Sequence, residues 1–445
     1  MRTNEDSPSW VEQLVSARIG IGHAITRTPS RAGEPRVHLC SVEAAPLGPL
    51  NSLPPRRNCG GAGLTPEEAL RSALGELLEG YCASFMEPKN ILFGTYRQLR
   101  NHHEVIEPER FALFSDRQYA RPGFPFQRFS DDAPLSWVWG YSLVRRKPIL
   151  LPASRVYMPC LTRPGEADIG HTLSTGLGAG PSRERAILSG LYECLERDAF
   201  TLFWMNDLPV RRIDLRGASR ATPAGRVFLE HLAVPGHEYR AYDITHDLGV
   251  PTTYTILSCQ TFQGPLHVVG AASRLDGSQA TLKALLEAVQ GKPYVLWQLQ
   301  RHAGWKPAAD FSNVTDFSLS CMLYTAVREL TPHLLGIDQR VSAELTLDAL
   351  PRWEPTDATT ELEELVRRLE AQGYEALVVD LTTPDIRSLG LTVVRVVTPE
   401  LQPLHADHRW PFLGGKRLYE VPVRIGARAE RVKEEQLSRY PHPFP

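Results

Sequence analysis

The chain has 445 residues, a formal net charge of −2 and ordinary hydrophobic, aromatic and charged fractions. That length suits two or three domains, or one large domain built on an internal duplication, and the near-neutral balance gives no electrostatic reason for a nucleic acid or an anionic membrane as partner. No basic, then apolar, signal segment and no run near the roughly 18 apolar residues of a membrane span are present, so a soluble cytoplasmic protein is expected.

Residues 1–59 read as an irregular N-terminal segment, crowded with Pro, Gly and Arg over 27–60. A helix follows in "GAGLTPEEALRSALGELLEGY" (61–81), with Thr65 as N-cap, Pro66 at the first helical position and Glu68 completing a capping box. Residues 103–135 show no clean period. "LSWVWGYSLVRRKPILLP" reads as two strands joined by a basic turn at 145–147. "GAGPSRERAILSGLYECLERD" (178–198) is a second helix, capped by Ser182. Strands "PTTYTILSC" and "PLHVVGAAS" then lead to a helix over 279–300. "TELEELVRRLEAQG" has helical period with Gly373 as its stop, and strands "YEALVVDL" and "LTVVRVV" follow. The expected class is α/β, or mixed α+β, with largely antiparallel sheets and no low-complexity linker. Seven scattered cysteines without a C-x-x-C pair argue against a disulfide framework and a zinc site; Cys82 and Cys194, inside helices, read as buried small hydrophobes.

The two glycine-led helices are copies at a shift of 117 residues, matching Glu76 with Glu193 and Glu79 with Glu196. Leu188, Leu191 and Leu195 should face the core, and the Glu-x-x-Glu pairs share another face. Like charges at that spacing repel by a few tenths of a kcal/mol, roughly. Such carboxylates either stay in water or receive a cation, and oxygen ligands on rigid helices suit Mg²⁺, with water and phosphate completing its shell. Lys283 and Glu287, one turn apart on the third helix, are a surface ion pair unless they converge with the other two. His405, Asp407 and His408 in "LHADHRW" read as structural, because a loop trio rarely closes a metal site without a distant ligand.

Beyond spacing, "GAGLTPEEALRSALGELLEGYCAS", "HTLSTGLGAGPSRERAILSGLYECLERDAFTLFW", "LLEAVQGKPY", "GGKRLYEVPVRIG" and the terminal "PHPFP" together resemble the YcaO family, over about residues 60 to 445. The likeness is closest to stand-alone subunits that form thiazoline and oxazoline rings in ribosomal peptides. It implies a YcaO-type fold, a catalytic domain over 60–430 and a proline-rich tail over 431–445. It further implies ATP and Mg²⁺ as cofactors, bound without the P-loop that the chain lacks. Glu76, Glu79, Glu193, Glu196 and Glu287 match the metal carboxylates. Arg197 matches a phosphate contact, Lys283 stands where an arginine is usual, and Ser72 falls with the nucleotide-binding set. Arg417 sits in a conspicuous motif without an assigned contact. Pro181 and Arg185 depart from the family's asparagine and glutamate, Gly80 from an arginine and Ala62 from a lysine.

The resemblance implies ATP-driven cyclodehydration of Cys, Ser or Thr in a precursor peptide, with a separate leader-binding partner protein and a homodimer. In the tail, prolines 441, 443 and 445 favour a stiff segment that holds His442 or the Pro445 carboxylate as general base. Thioamide or amidine formation on the same fold is one alternative. A non-catalytic scaffold, motivated by Pro181 and Arg185, is another.

Overall fold

A computed structural model describes residues 9–45, 58–220, 222–354 and 356–445. Among them, fourteen strands form three sheets. The first is antiparallel: β1 (Gly22–Thr28), β2 (His38–Ala44) and β3 (Asn58–Gly63). Residues 22–28 and 38–44 are therefore strands, where the composition suggested an irregular segment. β1 is largely exposed and buries few side chains, so no alternation of apolar residues announces it. The rest of that expectation, over 1–8 and 46–57, lies outside the described residues.

The second sheet has the order β4 (Ile91–Gly94), β5 (Leu135–Ser142), β13 (Leu377–Asp380), β14 (Thr392–Val397), β7 (Leu177–Gly180), with β6 (Lys147–Pro152) also on β5. All its pairings are antiparallel. The third has the order β11 (Gly264–Ser273), β10 (Thr252–Thr261), β9 (His237–Asp243), β8 (Val210–Asp214), β12 (Val341–Thr346), and its β8–β12 pair alone is parallel. The mixed, largely antiparallel α/β class read from the sequence stands.

Five helices matter here: α1 (Pro66–Ala83), α2 (Arg183–Asn206), α3 (Gly277–Arg301), α4 (Ala358–Ala371) and α5 (Arg417–Arg424). Thr65 and Glu68 form the expected capping box at α1. The Ser182 hydroxyl caps α2 by accepting the Arg185 N–H, and the Asp276 carboxylate caps α3. Among the described residues no helix is long and apolar enough to cross a membrane.

The duplication is in fact a triplication. β3–α1, β7–α2 and β11–α3 are three strand–helix units, each helix lying on the strand before it. A glycine sets that closeness each time. A Cβ would meet the Ala69 carbonyl oxygen at 2.2 Å from Gly61, the Ala186 oxygen at 2.1 Å from Gly178 and the Ala284 oxygen at 2.3 Å from Gly270. Only glycine tolerates such an approach. The units also interlock: α1 leans on β7, α2 on β11 and α3 on β3, closing a ring. Leu188, Leu191 and Leu195 of α2 are buried against α4 and β14, as their spacing predicted. The second half of α2 forms another core, where Phe200, Phe203 and Trp204 pack with Tyr254, Tyr324 and Phe444.

Candidate active site

The ring of units lets the charges of Glu79 and Glu193 both reach Arg395, and those of Glu193 and Glu287 both reach Glu196. Glu76 Oε2 accepts the Gly60 N–H at 2.7 Å, and Glu193 Oε2 accepts the Gly176 N–H at 2.9 Å, so each is held by its own unit's strand segment. Glu79 instead crosses to the next unit, accepting the Ala179 N–H at 3.0 Å. Glu287 accepts from Ala271 at 3.3 Å, and Lys283 stands 3.6 Å from its other oxygen. Glu287 precedes Ala288, which packs at Gly270 as Ala73 packs at Gly61, so its counterpart in the first unit is Ser72.

Glu196 is the buried member. Its desolvation, reinforced by the charges of Glu287 and Glu193, holds its carboxyl well above the usual range, although Arg197 and Lys283 pull the other way. Arg197 does not resolve the repulsion. Its nearest nitrogens stay 3.8 Å from Glu193 and 3.5 Å from Glu196, while its Nε and Nη1 are sealed from solvent without a hydrogen-bond partner. Among the described residues no trio of His, Cys, Asp or Glu side chains is already gathered to hold a metal ion. Glu76, Glu79, Glu193 and Glu287 each accept a backbone N–H of a strand segment, and Glu196 stands among like charges. This donor set fits a hard cation that takes further oxygens from water and phosphate, and the orphaned guanidinium N–H groups fit phosphate oxygens.

The tail reaches this site. Pro441, His442, Pro443 and Phe444 are buried. Tyr324 Oη donates to the Pro441 carbonyl at 2.6 Å and Trp204 Nε1 to the Tyr440 carbonyl at 3.0 Å. The Phe444 ring lies 4.3 Å from that of Phe200, and the Arg197 guanidinium covers its face at 4.7 Å. His442 as a general base is corrected by this geometry. Its Nδ1 accepts the Phe444 N–H at 3.2 Å, which leaves Nε2 to donate to the His405 carbonyl at 2.6 Å. Burial above all, with His408 and Arg197 nearby, pushes its pKa down to about 3. No lone pair remains for a substrate proton, and the ring instead moors the tail. Pro445 is exposed beyond it. The "LHADHRW" loop is the seat of that mooring, with Asp407 paired to Arg409 and His408 bonded to the Arg439 carbonyl at 3.0 Å.

Arg417, unassigned from sequence, is buried at 3% exposure and binds two carboxylates bidentately: Asp198 at 2.8 and 2.6 Å, and Asp247 at 2.9 and 2.8 Å. It thereby fixes α5 to α2 one residue beyond Arg197. Arg185, where the family has a glutamate, turns outward to Glu361 on α4 at 3.5 Å, and Pro181 is exposed. A cavity of about 840 Å³ lies elsewhere. Glu109, Tyr119 and Asp131 line it, and Phe111 and Leu113 border it on the side of Arg197.

The comparisons agree with this architecture. A heterocyclase in complex with substrate and cofactor superposes with TM-score 0.77 at 25% identity, covering 97% of this chain and 56% of that one. The heterocyclase TruD gives 0.64 at 25%, covering 86% and 52%. The chain thus spans little more than half the length of either. A YcaO from Methanopyrus kandleri bound with AMPPCP and Mg²⁺ shares the fold, with TM-score 0.59, 20% identity and 85% of each chain covered. An uncharacterized protein of Methanothermobacter thermautotrophicus is 26% identical over 80% of this chain and 84% of its own length. Residues 60–402 match the family described as YcaO cyclodehydratase, ATP- and Mg²⁺-binding, and the chain belongs to that family.

Proposed function

We propose that the chain is an ATP-dependent cyclodehydratase that converts Cys, Ser or Thr of a ribosomally made precursor peptide into thiazoline or oxazoline. The observation that carries this reading is Arg197, whose buried Nε and Nη1 lack partners while Glu193 and Glu196 stand 3.8 and 3.5 Å away and the charge of Glu287 reaches Glu196. In this reading Glu76, Glu79, Glu193, Glu196 and Glu287 hold Mg²⁺, while Ser72, Arg197 and Lys283 bind the triphosphate. Bound Mg²⁺ supplies neutralisation of phosphate charge.

The substrate hydroxyl or thiol attacks the preceding carbonyl carbon, and its proton passes to a base. The resulting oxyanion takes the γ-phosphoryl group and ADP leaves. The amide nitrogen then loses its proton as the C–O bond breaks, and phosphate departs with the bonding pair, leaving the C=N bond of the ring. An amide oxygen is a poor leaving group, which explains the use of ATP. Arg197 orients the phosphoryl group and carries its charge. His442 positions the tail, and where Pro445 ends the chain its carboxylate is the base, one residue from the ring that Arg197 covers.

Partners in this reading are the precursor peptide, a separate leader-binding protein and a second copy of the chain, in the cytoplasm. Incubation with peptide, partner and Mg-ATP should remove one water mass per ring. An extra glycine after Pro445 should abolish that loss while leaving nucleotide binding intact. The scaffold reading draws on Arg185, which is committed to Glu361. It predicts no Mg-ATP binding at all. Thioamide or amidine formation would give a different product mass.

A further inference from the structure

On α2, beside Arg197, lies a second and smaller cavity of about 100 Å³. Arg155, Arg197 and Arg395 line it together with Thr172, Thr175 and Thr398, and no Asp or Glu does. Three guanidinium groups on one small void is a costly arrangement, since a buried charge needs a counter-charge or full hydrogen bonding.

Arg197 has Glu193 and Glu196 at 3.8 and 3.5 Å and the charge of Asp168 reaches Arg155, but the hydrogen bonds of Arg155 and Arg395 go to neutral carbonyls. Arg395, 3% exposed on β14, donates to the carbonyls of Arg155, Leu173 and Ser174. Arg155 donates to the Gly170 carbonyl, and its Nε is sealed without a partner. Burial first, then the charge of Arg395, pushes Arg155 down to about 10, so both stay charged at neutral pH while repelling each other. The carboxylates whose charge reaches Arg395, Glu193 and Glu79, are committed to the N–H groups of Gly176 and Ala179.

We propose that this cavity is a phosphate subsite, which receives inorganic phosphate as it leaves the ring-closing step. The volume is too small for a nucleotide, whose pockets run to several hundred Å³, roughly, and the arginine forks match a tetrahedral oxyanion. Arg197 borders both the glutamates and the cavity, so phosphate released beside it crosses a single guanidinium to enter. The inference rests on the proposed function for the origin of the phosphate, but its test does not.

The chain is titrated calorimetrically with inorganic phosphate, without peptide, alongside Arg155→Gln, Arg395→Lys and Lys89→Ala. Saturable binding is expected in the wild type. Either arginine substitution should weaken it by about tenfold or more, the loss of one charge-assisted contact. Lys89→Ala, exposed and outside the cavity, should leave it unchanged, and Arg155→Gln should keep its affinity for Mg-ATP. No saturable phosphate binding in the wild type, or binding that survives both arginine substitutions, overturns the proposal whether or not the chain cyclises peptides. Should Arg395→Lys fail to fold, Arg155→Gln decides the matter alone.

Discussion

Arg197 and Asp198 are neighbours on α2, yet they belong to two buried charge clusters of opposite kind. Asp198 meets Arg417 through two short bonds and accepts the Gln402 N–H at 2.7 Å, while Asp247, on the other fork of Arg417, also binds Arg424 at 2.8 Å. Every charge in that cluster is answered within the chain. On the Arg197 side the distances to Glu193 and Glu196 stretch to 3.8 and 3.5 Å, two guanidinium N–H atoms have no partner, and Glu196 is held well above the usual carboxylate range by burial and by Glu287 and Glu193. The first cluster is closed and fixes α5 and the residue-247 loop against α2. The second is open: its guanidinium and carboxylates are not matched to one another by short contacts.

The sharpest way to break the contrast is to open the closed cluster. Arg417→Ala leaves Asp198 and Asp247 buried without a cation, which should cost about 3–5 kcal/mol. Urea unfolding followed by circular dichroism would measure it. A loss near zero would mean that Arg417 does not organise this face. Next in size is the tail. Phe444→Ala removes a ring buried against Phe200 and uncovers Arg197, and large-to-small changes of this kind cost about 3–5 kcal/mol. Docking of the tail should weaken while the rest of the fold persists, so carboxypeptidase should digest the variant from its end faster than the wild type.

The smallest effect concerns pH. Burial alone would raise Asp247, but Arg417 and then Arg424 hold it below its usual value. A lowered carboxylate contributes stability above its unfolded pKa and loses it as pH falls through the folded one. Arg424→Gln removes one of those cations, so the acid limb of a stability–pH curve should move to higher pH, while stability at pH 7 falls by less than about 1 kcal/mol for a part-exposed pair.

Much of the frame was legible because it is periodic and punctuated. Thr65 with Glu68, Ser182 and Gly373 marked helix ends, and the repeated Glu-x-x-Glu marked two helices from which the charges of Glu79 and Glu193 both reach Arg395. The third unit was hidden by its spacing. Gly61 to Ala69 and Gly178 to Ala186 are both eight residues, but Gly270 to Ala284 is fourteen, and its carboxylate occupies the position of Ser72 rather than that of Glu76. β1 and β2 were missed because neither shows a clean apolar alternation. Arg417 could not be assigned a contact because its partners lie 219 and 170 residues away. The role of His442 failed for a like reason. Its proximity to the site was readable by resemblance, but the Phe444 N–H and the His405 carbonyl that occupy its two nitrogens were not.

The open cluster is tested most directly by calorimetric titration of Mg-ATP into the wild type and Glu196→Gln, with their unfolding curves measured in parallel. The account predicts saturable binding in the wild type that weakens by about a hundredfold in Glu196→Gln, some 2.7 kcal/mol, while stability stays the same or rises because the substitution removes a buried repulsion. Equal Mg-ATP affinity in the two proteins, or a loss of stability like that of Arg417→Ala, would contradict it.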